Sequence, residues 1–101
     1  MLTLPIKKQW YDMILSGKKK EEYRALRPYY TTRFMNVWGF PAYWSEPHRV
    51  RFRNGYRSDS PSFTAVCTLC IRYGRPEWGA VEGIMCYVLK IISIDKEEQT
   101  E

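Results

Sequence analysis

Histidine is almost absent from this sequence: His48 stands alone among 101 residues. Cys67, Cys70 and Cys86 are the only thiols. A closed zinc site takes four nitrogen, sulfur or oxygen ligands at defined spacing, and Cys67-x-x-Cys70 has no second pair to complete one. On a strand, positions three apart face opposite sides, so these two thiols diverge. No metal and no cofactor is expected. His48 has no cysteine or aspartate partner in any motif, so a catalytic dyad is not indicated. An odd set of cysteines excludes the dense, even disulfide framework of small secreted domains and fits the reduced thiols of a cytoplasm. No apolar run approaches the ~20 residues of a membrane span. Met1 to Lys8 carries no cleavage-site pattern. A soluble, cytoplasmic protein without a membrane partner is expected. Internal repeats, low-complexity tracts and linkers are also missing, and Gly17-Lys18 lacks the rest of a P-loop.

Acidic residues are scarce over most of the chain. Residues 1–75 carry 14 Lys/Arg against 5 Asp/Glu, a net of +9, whereas residues 76–101 carry 2 against 6, a net of −4. A basic part polarised in this way suits a surface that meets phosphates; a solvated basic surface without a partner is the plainer alternative. Apolar residues make up 45% of the chain, with four Trp and eight Tyr, so it is expected to fold. Its length suits one core and is too short for two. The expected domain covers 2–95, followed by a polar tail over 96–101.

Leu2, Leu4 and Ile6 alternate with Thr3 and Pro5 and predict a first strand, with Pro5 marking an edge or an end. Trp10, Met13, Ile14 and Gly17 follow at helical spacing. They predict a helix over Lys7 to Ser16 capped by Gly17, with Lys18, Lys19 and Lys20 beside the negative end of its dipole. Lys20 to Leu26 reads as a second strand with Glu22, Arg24 and Leu26 on one face; Pro28 stops it. Tyr29 to Trp38 is a short helix or an irregular aromatic cover, and Trp38 to Pro47 a loop. Asn54-Gly55 signals a type I′ hairpin between Val50–Arg53 and Tyr56–Ser58. Ser62 to Tyr73 alternates as a long strand with Phe63, Ala65, Cys67, Leu69, Ile71 and Tyr73 on one side. A turn-rich loop over Gly74 to Gly83 leads to a last strand over Ile84 to Ile94. The sum is an α+β, mainly β fold: a small β-barrel of about five or six strands, with one N-terminal helix and short helical covers.

Chemistry concentrates in Gly17-Lys18-Lys19-Lys20-Glu21-Glu22-Tyr23-Arg24. Lys19 can hold a phosphate or an oxyanion. Glu22 can accept from a base edge or act as a general base. Arg24 can fork onto a carboxylate, a phosphate or a carbonyl. The competing reading is an ordinary ion pair that closes the barrel. Arg49, Arg51 and Arg53 alternate on one strand face, where they either contact phosphates or form its solvated side. Trp78 and the aromatics Tyr29, Tyr30, Trp38, Tyr43 and Trp44 either stack on an unpaired base or pack core and lid.

Four pieces of the chain resemble an ASCH domain, a relative of the PUA RNA-binding domains. They are the first strand with a helix ending Ile14-Leu15-Ser16-Gly17; the signature Gly17-x-Lys19-x-x-Glu22-x-Arg24; the turn Phe52-Arg53-Asn54-Gly55-Tyr56; and Pro76-Glu77-Trp78-Gly79 before the last strand. They run from residue 2 to about 94, and the last two look like a subgroup common in bacteria and their phages. The resemblance implies a PUA-like barrel with a cleft beside the first helix, lined by the signature residues, and RNA or a nucleoside as its ligand. The implied ligand-binding set is Lys19, Glu22, Arg24, Arg53, Tyr56 and Trp78. Some members of the family remove the acetyl group from N4-acetylcytidine with a lysine, a threonine and a distant glutamate. Here Lys19 is kept, Glu22 stands in place of the threonine, and Glu77 and Glu82 are the candidates for the distant glutamate. A carboxylate cannot replace a hydroxyl nucleophile in the same step, so a binding module is the first expectation. The alternatives are a small amidohydrolase in which Glu22 activates water beside Lys19, and a protein-interaction domain without a ligand cleft.

Overall fold

The computed structural model describes residues 1–95, and the polar tail expected over 96–101 lies outside the described residues. The chain runs β1 (Leu2–Ile6), α1 (Lys8–Leu15), β2 (Glu21–Arg24), α2 (Pro28–Trp38), β3 (His48–Asn54), β4 (Ser62–Tyr73) and β5 (Met85–Asp95). Short 3-10 turns occupy Pro41–Tyr43 and Pro76–Trp78. The five strands form one curled, half-barrel sheet in the order β1-β3-β4-β5-β2, so the mainly β, barrel-like α+β fold is found as expected. β1 runs parallel to β3, and every other pair is antiparallel. β1 and β2 are the two edges, and the seam between them is where the functional interest lies.

Alternation decides which face is buried. Leu4 and Ile6 of β1, Val50 and Phe52 of β3, and Phe63, Ala65, Cys67 and Leu69 of β4 all point into one core. Phe34, Phe52 and Phe63 are fully buried; each such side chain contributes roughly 1.5–3 kcal/mol relative to exposure. The expected alternation along β4 fails at its end: Ile71 and Tyr73 are exposed. Cys67 faces the core and Cys70 does not, so the two thiols diverge as the strand period requires. Burial pushes the Cys67 thiol up to about 12.

One local alternative is decided and one local expectation is corrected. The aromatic segment after Pro28 is an eleven-residue helix, longer than the eight-residue α1. Pro28, which stops the strand, also occupies the first helical turn, where a missing N–H costs nothing. Tyr30, Phe34 and Trp38 recur every fourth residue and turn toward the sheet, with Phe34 edge-on to Tyr87 of β5 at 5.0 Å. The Asn54-Gly55 hairpin is not a two-residue turn. Among the described residues none other than glycine has positive φ, so Asn54 does not take its half of a type I′ turn and instead ends β3. Its N–H donates to the Pro61 carbonyl at 2.8 Å, and a loop over 55–61 replaces the predicted return strand. The return begins only at Ser62, where the apolar alternation starts.

Candidate functional site

The end of α1 sets the site. Ser16 is its C-cap residue, and Gly17 follows at φ +83°, a conformation that glycine adopts without steric cost. The Lys18 N–H donates to the Met13 carbonyl at 2.9 Å, and the Gly17 N–H to Ile14 at 3.0 Å. These two bonds make a Schellman motif, which reverses the chain and delivers it into β2. Lys18 and Lys20 stay exposed, while Lys19 turns inward and is only 2% exposed. The β2 alternation then sorts the next four residues. Glu22 and Arg24 face inward with Leu89 and Tyr87 of β5, while Glu21 and Tyr23 face the other side.

Lys19, Glu22 and Arg24 form one buried charge triad. The Lys19 ammonium lies 3.1 Å from Glu22 Oε1 and donates to the Trp78 carbonyl. Trp10 and Tyr23 flank it, their ring centroids 4.6 and 5.0 Å away. Arg24 Nη1 donates to Glu22 Oε2 and to the Tyr23 carbonyl, and Nη2 donates to the Pro5 carbonyl at 2.8 Å. This last bond spans the seam from edge strand β2 to edge strand β1. Burial pulls the Lys19 ammonium below the usual lysine range, while the Glu22 carboxylate pulls the other way by charge and hydrogen bond.

A cleft of about 600 Å³ opens at the seam above the triad, within the range of small-molecule sites. Lys19, Glu22 and Arg24 all line it, together with Pro5 and Ile6 at the end of β1. Trp10, Trp78, Tyr29, Tyr30 and Tyr56 supply aromatic walls. Lys7 and Arg33 add two cations, and the Arg33 guanidinium lies 3.5 Å from the centre of the Tyr29 ring. Glu22 is the sole carboxylate among the lining residues. Gly79, at φ +102°, lets its loop lie flat on the Trp10 ring; an added Cβ would come within 3.1 Å of it.

Five of the six residues expected to bind ligand therefore meet at one cleft: Lys19, Glu22, Arg24, Tyr56 and Trp78. Arg53 does not line it. It sits on β3 between Pro5 of β1 and Ser62 of β4, while its neighbours Asn54 and Gly55 reach the cleft. Neither Glu77 nor Glu82 lines the cleft; both are exposed, and Glu77 pairs with Arg75 at 3.5 Å. Of the stacking candidates, Tyr29 and Tyr30 line the wall, whereas Trp38 lies in the core and donates to the Glu46 carbonyl at 2.8 Å. Trp10, Lys7 and Arg33 were not singled out by the sequence as site residues. The four-residue spacing from Tyr29 to Arg33 was the available signal, since it puts a cation over an aromatic ring on one helix face.

The outer face of β2 carries a second polar group of different character. Glu21 accepts from Arg72 and from the Tyr23 hydroxyl, and Tyr23 also accepts from the Arg75 N–H at 3.0 Å. These contacts fasten β2 to β4 and to the loop that carries Trp78. Among the described residues no three His, Cys, Asp or Glu side chains come together as a metal site, and no helix is long and apolar enough to cross a membrane. No family model, curated protein or solved structure matches the chain.

Proposed function

We propose that this protein is an ASCH-type binding module whose seam cleft takes single-stranded RNA or a modified nucleoside. The observation that carries the reading is the charge triad at the floor of an aromatic-walled cleft. Bases stack on aromatic rings whatever their identity, and the rings of Trp78 and the exposed Tyr56 in the cleft wall would receive one. Glu22 spends one lone pair of each oxygen on Lys19 and Arg24. A carboxylate has about four acceptor sites, which leaves the remainder for a base amino group. Lys7 and Arg33 at the walls suit phosphates. Titrating a short single-stranded RNA at several salt concentrations tests this. Affinity is expected to fall with salt, with a log–log slope of about −0.7 for each phosphate engaged. RNA affinity that stays flat between low and moderate salt refutes the phosphate contacts, and no nucleoside or RNA binding at all refutes the reading.

A second reading keeps one observation of its own. Glu22 is a buried carboxylate beside a buried lysine at a cleft, an arrangement that serves water activation and oxyanion stabilisation. Acetate release from N4-acetylcytidine would establish the amidohydrolase; its absence would leave the binding module. A ligand-free interaction domain is disfavoured because a mere clasp of Glu22 and Arg24 has no need of an adjoining cleft.

A further inference from the structure

Pairing of β2 with β5 stops at Arg24 opposite Tyr87. Ala25, Leu26 and Arg27 then leave the sheet toward α2 and uncover the start of β5. The result is a second groove of about 470 Å³, floored by Met85 and Cys86 and walled by Leu26, Val81 and Ile84. Leu26, Val81, Ile84 and Met85 are 46%, 66%, 59% and 41% exposed, a contiguous run of large apolar side chains open to solvent. A patch of that kind on a small chain calls for an occupant.

Two features say what the occupant is. The groove and the seam cleft share Tyr23, Arg24 and Gly79, so they abut across one wall. The charged residues lining the groove are Arg24 and Arg27, with no carboxylate among its lining. An apolar slot joined to a base-sized cleft across an arginine matches two adjacent nucleotides of one strand: base, bridging phosphate, base. We infer that the groove is a second nucleotide subsite, taking the neighbouring base of a strand whose first base fills the seam cleft. Arg24 and Arg27 flank the bridging phosphate. This rests on the proposed function of the cleft and adds to it that the ligand is an oligonucleotide rather than a free nucleoside.

Length-dependent binding tests the inference with the full chain. The probes are the four ribonucleosides, their 3′-monophosphates and the dinucleotides built from the tightest-binding nucleoside. The dinucleotide is expected to bind about tenfold tighter than the 3′-monophosphate, the order of gain from burying one base face against aliphatic side chains. In Ile84→Asp and Leu26→Asp that gain is lost while nucleoside affinity stays within about twofold. In Arg27→Glu the gain from nucleoside to 3′-monophosphate shrinks. Both apolar positions are solvent-exposed, so the fold tolerates the change. If the monophosphate already carries the whole gain, or if Ile84→Asp leaves the dinucleotide unaffected, the subsite is refuted and the seam cleft stands. If neither nucleosides nor dinucleotides bind, the cleft reading falls and the subsite falls with it.

Discussion

Glu22→Gln is the sharpest perturbation of the triad. Glu22 is 4% exposed and Lys19 2%, so both charges are largely withdrawn from water and depend on their protein partners. The carboxylate accepts from Lys19 on one oxygen and from Arg24 on the other. Each charge-assisted bond contributes about 1.5–3 kcal/mol, and the amide retains one carbonyl acceptor but replaces the other oxygen with a donor facing a cation. Arg24 keeps the Tyr23 and Pro5 carbonyls, whereas Lys19 keeps only the Trp78 carbonyl and two aromatic rings. A loss of about 3 kcal/mol follows, at the lower end for a broken buried pair. For a domain of this size that is a fall in Tm of ~12–24 °C. The pH dependence supplies a second check. Without Glu22 the burial that already lowers the Lys19 pKa is joined by the Arg24 charge and opposed only by that of Glu21, so Lys19 sheds its proton at lower pH in the folded variant than in the unfolded chain. Above that point the unfolded chain binds more protons, and stability rises with pH. The deficit against the parent protein is therefore expected to narrow as pH climbs toward the ordinary lysine range. Urea unfolding followed by tryptophan fluorescence at neutral and alkaline pH measures both effects. A loss under about 1 kcal/mol that does not vary with pH would place the triad among solvated surface pairs and refute the reasoning.

Gly79→Ala is expected to destabilise by about 1–3 kcal/mol, since it combines positive φ with a Cβ pressed on Trp10, and to weaken nucleoside binding by moving the cleft wall; unchanged affinity and Tm would disprove the close approach. Glu21 gives the acid side: burial alone would raise its pKa, but the hydrogen bonds from Arg72 and Tyr23 outweigh it and hold the carboxyl below the usual range. That stability is present above the unfolded value of about 4.3 and is lost as pH falls through the lower folded value. With Arg72 partly exposed, Glu21→Gln is expected to cost about 1 kcal/mol at pH 7 and to flatten the acid limb of a stability–pH curve; parallel curves for the two proteins would rule this out.

Period-2 alternation made β1, β3, β4 and β5 legible, because each buries one face on a single core and apolar residues mark that face. β4 matches its expected span from Ser62 to Tyr73. The helix α2 was harder to read, since Tyr, Thr, Phe and Trp favour strands as readily as helices, and only the Tyr30–Phe34–Trp38 spacing resolves it. The hairpin at Asn54-Gly55 misled because a turn dipeptide fixes a turn only when apolar strand residues follow at once; here Pro61 precedes the return strand instead. At the site, Lys19, Glu22 and Arg24 were legible from one strand and one cap. Trp10, Lys7 and Arg33 were not, because they come to the cleft from the N-cap and N-terminal half of α1 and the middle of α2, and only the tertiary packing of α1 and α2 joins them to β2.

The two readings of the charged signature, a clasp and a ligand site, describe the same atoms. Arg24 holds Pro5 of the opposite edge strand, so it closes by side chain a seam that the backbone leaves open. Closing it this way, rather than with a fifth pairing of strands, is what leaves room for a cleft. The triad is then ordered before any ligand arrives, since each member already has protein partners, and little side-chain entropy remains to be lost on binding. It follows that mutations in the triad move stability and affinity together and cannot by themselves assign a function. The discriminating positions are those that face the cleft or the neighbouring groove without holding the seam: Tyr56, 89% exposed at the mouth, and Ile84 in the groove. A ligand that occupies this seam raises Tm in proportion to the logarithm of its concentration above Kd, and loss of that rise in Tyr56→Ala, with the ligand-free Tm unchanged, separates the site from the clasp.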